Sequence, residues 1–315
     1  MTETTKTIFE KYEIRKTKKQ KADFVDYVRT VAEKHGYTMH AEKGSFGAKN
    51  IVIGDPETAK AIFTAHYDTC PRLPFPNFIT PKNFLIYLLY QIVVSLVFMI
   101  LPVILLTYLW GFAVNAIAPN DESLHSLLLL LGFYVILFGI ILLMMIGPAN
   151  RHTANDNTSG VTTLLDIMTS LPDEKKNTVC FVFFDMEEMG LLGSSGFASK
   201  HKKAMKQKLL VNFDCVSDGD HMLFVLRKGA ASKKALFEEA FPFTDVIRTE
   251  ILTKGVFYPS DQANFPVGVG VAALKKAKKM NLLYMDKIHT PKDTIYREEN
   301  VTYLVEGAKK LLDLI

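Results

Sequence analysis

Cysteine is scarce in this chain of 315 residues: Cys70, Cys180 and Cys215 are an odd number with no C-x-x-C spacing. That speaks against a disulfide framework and for a reducing compartment. The opening stretch MTETTKTIFEKYEIRK has no apolar run of the kind a secretory signal needs, so no signal peptide is expected. There is no internal repeat, no low-complexity tract and no Gly-rich loop to cradle phosphate. Charge imbalance is small as well: 37 Lys and Arg against 33 Asp and Glu leave +4. Such a balance excludes a strongly basic nucleic-acid binder and suits a domain resting near anionic lipid.

Charge is missing most conspicuously from residues 84–147, where Asp121 and Glu122 are the only formally charged side chains. Two uncharged stretches, 84–110 and 127–146, are each long enough to cross a bilayer, which takes about 20 residues at ~1.5 Å rise. Neither has the polar stripe that a buried helix of a soluble protein usually keeps. The expectation is a transmembrane hairpin, kinked at Pro102 and turned around Pro119, Asn120, Asp121 and Glu122. Two spans return the chain to the side it left, so residues 1–83 and 148–315 can form one discontinuous domain around the 84–147 insertion. Arg72, Lys82 and Arg151 flank the outer ends, and the connecting loop has no Lys or Arg. By the positive-inside rule that domain is expected to be cytoplasmic, in an integral protein of a bacterial plasma membrane. Residues 84–147 make the bilayer its partner; no nucleic-acid partner is expected, and a homo-oligomer is compatible with the sequence.

Outside the hairpin the pattern is α/β. Lys21 to His35 has helical apolar spacing at Phe24, Tyr27, Val28 and Val31, with Gly36 placed to end it. Short strands are expected at 37–41 and 50–54. Apolar runs at 61–65, 178–184 and 209–213 alternate with helical stretches after Ser159 and over 195–208. Wholly apolar strands alternating with helices predict a mostly parallel sheet flanked by helices.

Those three apolar strands stop at His66-Tyr67-Asp68, at Asp185-Met186-Glu187-Glu188 and at Asp214. Open α/β sheets place their sites beyond the carboxyl ends of the strands, so three strands bring metal-ligating side chains to one edge. Singly, each residue has a plainer explanation. A histidine at a strand end is more often a surface or capping residue, Glu187-Glu188 a solvated turn, and Asp156 a helix N-cap.

Together, AHYDT at 65–69, NDNTSGV at 155–161, DMEEMGLLGS at 185–194, NFDCVSDGD at 212–220, SDQANF at 260–265 and IHTPKDT at 288–294 resemble the co-catalytic zinc aminopeptidase family. This family includes bacterial leucyl aminopeptidases, glutamate carboxypeptidase II, the transferrin receptor and glutaminyl cyclase. The resemblance implies a zinc-peptidase/phosphorylase-like fold and two Zn2+ ions bridged by Asp156 and a water or hydroxide. His66 and Asp214 would complete one site, Glu188 and His289 the other. The charges then balance, two dications against three carboxylates and a hydroxide. Imidazole and carboxylate donors without thiolate suit an open hydrolytic site. Glu187 takes the role of general base and acid, and Asp68 that of acceptor for the second imidazole N–H of His66. Tyr258 is a candidate oxyanion donor.

Gln262 departs from the histidine that relatives carry after Ser-Asp. Cys70 and Cys215 are expected to be buried packing residues. Lys275, Lys276, Lys278 and Lys279 are expected to form a solvated or lipid-facing charge cluster. The implied activity is removal of N-terminal residues from short peptides. The alternatives are a single-zinc acyltransferase like glutaminyl cyclase and a non-enzymatic receptor or scaffold on the same fold.

Overall fold

The computed structural model describes residues 1–278 and 280–315; Lys279, the last of the expected lysine cluster, lies outside the described residues. Two compact units result: Met1–Phe84 with Ala149–Ile315, and Leu85–Pro148.

In the first unit, α1 (Glu3–Lys11) and α2 (Lys18–Lys34) precede β1 (Met39–Lys43), β2 (Lys49–Ile53) and β3 (Ala61–His66). Helix α2 starts a turn earlier than its apolar spacing suggests. Thr17 and Gln20 form a capping box, each side chain bonding the other's backbone N–H, and that fixes the start ahead of the first buried residue, Phe24. The second unit holds α3 (Phe84–Ser95), α4 (Leu101–Ile117) and α5 (Glu122–Ile146). Back in the first unit follow α6 (Gly160–Ser170), α7 (Asp173–Lys176), β4 (Val179–Phe184), α8 (Leu192–Lys200), β5 (Leu209–Phe213), β6 (His221–Leu226), α9 (Lys234–Ala240), β7 (Arg248–Leu252), β8 (Gly268–Lys276), β9 (Leu283–Tyr284) and α10 (Glu298–Leu314).

Among the described residues the sheet has nine strands in the order β1-β2-β4-β3-β5-β8-β6-β7, with β9 on β8. The centre is parallel as expected, β4 with β3, β3 with β5 and β5 with β8. Antiparallel pairs β1–β2, β2–β4, β6–β8 and β8–β9 flank it, so the whole is mixed. Because side chains alternate along a strand, β4 supplies two cores at once. Val179, Phe181 and Phe183 pack with α2, α6 and α10, while Cys180, Val182 and Phe184 pack against Phe197 and Phe265 on the other face. Each buried phenylalanine contributes roughly 1.5–3 kcal/mol. This two-sided burial fixes the strand register, and with it the height at which the strand ends are presented.

Lys275, expected in a solvated cluster, is instead ion-paired to Asp218 (3.2 Å) and to Asp286.

In the second unit α3 and α4 form one continuous helix from Phe84 to Ile117 through a π-helical turn at Leu96–Ile100. Pro102, where a kink is expected from the sequence, follows closely on that turn. Pro102 has no N–H, and just ahead of it the Leu101 N–H bonds back to Leu96 O. Asp121 caps α5 by accepting from Leu124 N. Helices α4 and α5 pack together, with Trp110 Nε1 donating to Leu128 O at 2.9 Å. Gly132 is required there, because a Cβ would lie 2.1 Å from that indole nitrogen. Both long helices are apolar and long enough to cross a membrane. Their Leu, Ile and Val side chains are largely exposed, Leu85 at 67% and Val135 at 71%.

Candidate metal centre

Strand β3 carries His66 as its last residue, and β4 and β5 end one residue before Asp185 and Asp214. Asp156 sits in the turn Ala154–Ser159 that leads into α6, its own backbone extended (φ −113°, ψ 96°). Gly160 starts the helix where a Cβ would lie 2.2 Å from Phe213 O, so the turn can press directly against the end of β5. His289 comes from the loop before α10.

Asp185 itself pairs with Lys21, but Glu188, three residues further on, joins His66, Asp156, Asp214 and His289. His66 Nε2 lies 3.3 Å from Asp156 Oδ1 and 3.5 Å from Asp214 Oδ1. His289 Nε2 lies 3.2 Å from Asp156 Oδ2 and 3.3 Å from Glu188 Oε2. The two oxygens of Asp156 therefore face two different histidine–carboxylate pairs. Donors bound tetrahedrally at about 2.0–2.1 Å stand ~3.3 Å apart, so the spacing of each half fits a zinc-sized cation. Asp214 Oδ1 and Glu188 Oε1 are buried without hydrogen-bond partners, a costly arrangement that a cation would relieve. Glu187 joins the constellation, with a carboxylate oxygen within 4.8 Å of donor atoms of His66 and Glu188.

The centre is strongly charged in its own field. Burial pushes Glu187 well above the ordinary carboxylate range, helped by Glu188, Asp214 and Asp261 and opposed by His66. Glu188 is raised by burial and by Asp156. Burial alone would lower His66, but Glu187, Asp156, Asp214 and Asp68 raise it well above its usual value. Asp156 is lowered in spite of its burial, by His289 and His66. A cluster of carboxylates in which some can ionise only beside a cation is what a metal site requires.

Two expected roles are corrected by the geometry. The hydrogen bond at His66 Nδ1 goes to the backbone carbonyl of Asp68 (3.1 Å), and the Asp68 carboxylate is further away at 3.6 Å. That carboxylate instead accepts from Glu187 N (3.0 Å) and Glu188 N (3.2 Å), so it aims both glutamates from one point. Replacing Asp68 by Asn substitutes a donor for one of these acceptors. We expect Asp68→Asn to lower activity or metal affinity 10–100-fold with the fold intact, checked by kinetics and metal titration; unchanged values would remove the role. Tyr258, the candidate oxyanion donor, spends its single proton on Asp214 O at 2.9 Å. Gln262 holds this same loop, donating to Tyr258 O at 2.8 Å.

Several supporting residues have no role assigned from the sequence, although Asn157, Ser260, Asp261 and Asp293 lie within the motifs quoted above. Asp293, pushed up to about 8 by burial and by Asp156, accepts from the backbone N–H of Asn155 and Asp156. Asn157 donates to Phe213 O and accepts from Gly160 N. Ser260 donates to Asp214 Oδ2 at 2.6 Å. Asp261, buried with both oxygens unpartnered, is raised to about 7 by that burial. Arg15, also fully buried, ties the segment before α2 to Tyr67 O and Thr158 Oγ1, between two of the loops that carry the centre. Left-handed backbone at Met186, Cys215 and His289 (φ 56°, 57° and 64°) costs roughly 1–3 kcal/mol each, which the surrounding bonds hold in place.

With this arrangement established, the sequence matches peptidase family M28 over residues 143–306. The chain belongs to that family. The matched span contains Asp156, Glu187, Glu188, Asp214 and His289. His66 and Asp68 lie outside it, and their place in this M28 peptidase rests on the distances above. No curated protein matches the sequence.

Among solved structures the chain is similar to the LapA aminopeptidase of Legionella pneumophila, at 15% identity and a TM-score of 0.56, covering 98% of this chain and 69% of that one. It is similar to Porphyromonas gingivalis glutaminyl cyclase at 13% identity and a TM-score of 0.56, covering 98% of each. A Zn-dependent exopeptidase from Parabacteroides distasonis gives 15% and 0.55, covering 98% of this chain and 97% of that one. At such identities the likeness is one of fold: a mixed sheet flanked by helices.

Proposed function

We propose that this M28 peptidase is a two-zinc aminopeptidase anchored in a membrane through residues 84–147. The observation that carries the reading is the division of Asp156, one oxygen toward His66 and Asp214 and the other toward His289 and Glu188. His66, Asp214 and Asp156 Oδ1 would hold one ion, and Glu188, His289 and Asp156 Oδ2 the second. Zinc in those positions supplies Lewis acidity that polarises a carbonyl and makes water nucleophilic at neutral pH. Glu187 accepts the proton of the attacking water on its carboxylate and hands it to the departing amine. Asp68 keeps Glu187 and Glu188 in register through their backbone N–H groups.

Membrane anchoring is supported by the two long apolar helices and their exposed aliphatic surfaces. The flanking Arg72, Lys82 and Arg151 favour a cytoplasmic catalytic unit. The substrates are then short peptides with a free amino terminus on that side.

Full-length protein, extracted in detergent from carbonate-washed membranes and supplied with zinc, is given a mixture of short peptides and its products are read by mass spectrometry. Stepwise loss of N-terminal residues is the expected result. C-terminal trimming would overturn the aminopeptidase assignment. Loss of ammonia from N-terminal glutamine without hydrolysis would favour the glutaminyl-cyclase alternative, and recovery of the protein in the carbonate wash would overturn the anchoring.

A further inference from the structure

Of the three buried cysteines, two have an ordinary place in the cores. Cys180 belongs to the apolar cluster of β2, β4 and α8, and Cys215 to the cluster around Leu223, Tyr258 and Leu274. Cys70, although fully buried, belongs to none of the apolar clusters among the described residues. Its Sγ lies instead among the donor atoms of Asp156, Glu188 and His289, all four within 4.8 Å of one another. Glu188, whose side chain is 8% exposed, leaves Oε1 without a partner in that same group. The contact to Cys70 Sγ from outside the group is the amide of Asn150, with Nδ2 at 3.9 Å, a donor suited to a sulfur that carries negative charge. Asn150 also fixes the backbone here, accepting nothing from the thiol but donating its N–H to Cys70 O and its amide to Thr290 O next to His289.

We propose that Cys70 is a metal ligand, completing with Asp156, Glu188 and His289 a four-donor site in which one of the two ions is bound by a thiolate. This rests on the two-ion reading above and replaces the expectation that Cys70 only packs. On binding, the S–H bond is exchanged for a sulfur–metal bond and the proton leaves to solvent. The two halves of the centre then differ in kind. The Cys70 half would offer four protein donors, as structural zinc sites do, and the His66–Asp214 half three, leaving a position open as catalytic sites do. Glu187 is grouped with His66 of one half and Glu188 of the other, so the base stands beside both. A thiolate also makes the closed half soft, favouring zinc or cadmium over manganese.

The test is optical and needs no turnover. Metal-free full-length protein in detergent is titrated with Co2+, and the visible d–d bands and the near-ultraviolet sulfur-to-cobalt charge-transfer band are followed in wild type, Cys70→Ser and Cys215→Ser. Expected are d–d bands in all three, with the charge-transfer band present in wild type and Cys215→Ser and lost in Cys70→Ser. Wild-type d–d bands without any charge-transfer band would overturn the thiolate ligand and leave the two-ion reading standing. A charge-transfer band that survives Cys70→Ser would overturn it also. Absence of all cobalt bands from wild type would overturn the two-ion reading and this proposal together. The wild-type spectrum decides even if Cys70→Ser fails to fold.

Discussion

Glu187→Gln is expected to bind metal as the wild type does and to lose peptide hydrolysis by a factor of about 10²–10⁴, the usual worth of a positioned general base. The side chains are nearly isosteric, so the Glu187 N–H bond to Asp68 and the neighbouring Glu188 are undisturbed. What goes is the ability to hold a proton between the attack of water and the departure of the amine. The loss should fall on kcat, with KM little changed, because the proton moves only in the transition state. Hydrolysis within a few-fold of wild type would show that Glu187 is not the base. A fall in metal content would show that it is a ligand instead.

Asp156→Asn should be more damaging, and at an earlier step. One carboxylate faces both histidine–carboxylate pairs, so neutralising it removes a charged donor from each half at once. An amide has a single oxygen to offer, and its NH₂ would point at whichever ion the other oxygen had served. We expect the variant to lose at least one of the two ions, and activity to fall to background along with it. Retention of both ions at wild-type affinity would contradict the bridging geometry. The support from Asp293 to the backbone of Asn155 and Asp156 is not touched by the exchange, so the fold should survive. Circular dichroism separates loss of metal from loss of structure.

The parts of this protein legible in the sequence are those with strong local causes. Strands β3, β4 and β5 are buried on both faces and so read as largely apolar runs, and His66, Glu187, Glu188 and Asp214 at or just beyond their ends are among the groups that meet, whereas Asp185 pairs with Lys21. Strands β6 to β9 are less legible. β7 lies at a sheet edge and is only partly buried, and β8 is built around Gly268 and Gly270, so neither has a clear alternation to read. Within the centre, residue types that bind metals could be named from chain order and family likeness.

Their supports were hidden for a different reason. Asn157, Asp293, Asn150 and Arg15 act by bonding backbone groups far away in sequence; the motifs mark the first two without showing what they bond, and nothing local marks the others. Asp68 shows the limit most clearly. Its spacing from His66 suggested a carboxylate–imidazole bond, yet the turn after β3 delivers its carbonyl to the ring and its carboxylate to the next strand's loop. Cys70 reads as packing by its residue type, and only its neighbours Asp156, Glu188 and His289 set it apart from Cys180.

The metal content of the full-length protein, purified in detergent without chelator and equilibrated with zinc, bears most directly on the central claim. Elemental analysis against protein concentration should return two zinc ions per chain. A value of one would mean that Asp156 does not bridge and would move the chain to single-zinc chemistry; none would show that the convergence of His66, Asp156, Glu188, Asp214 and His289 holds no metal at all.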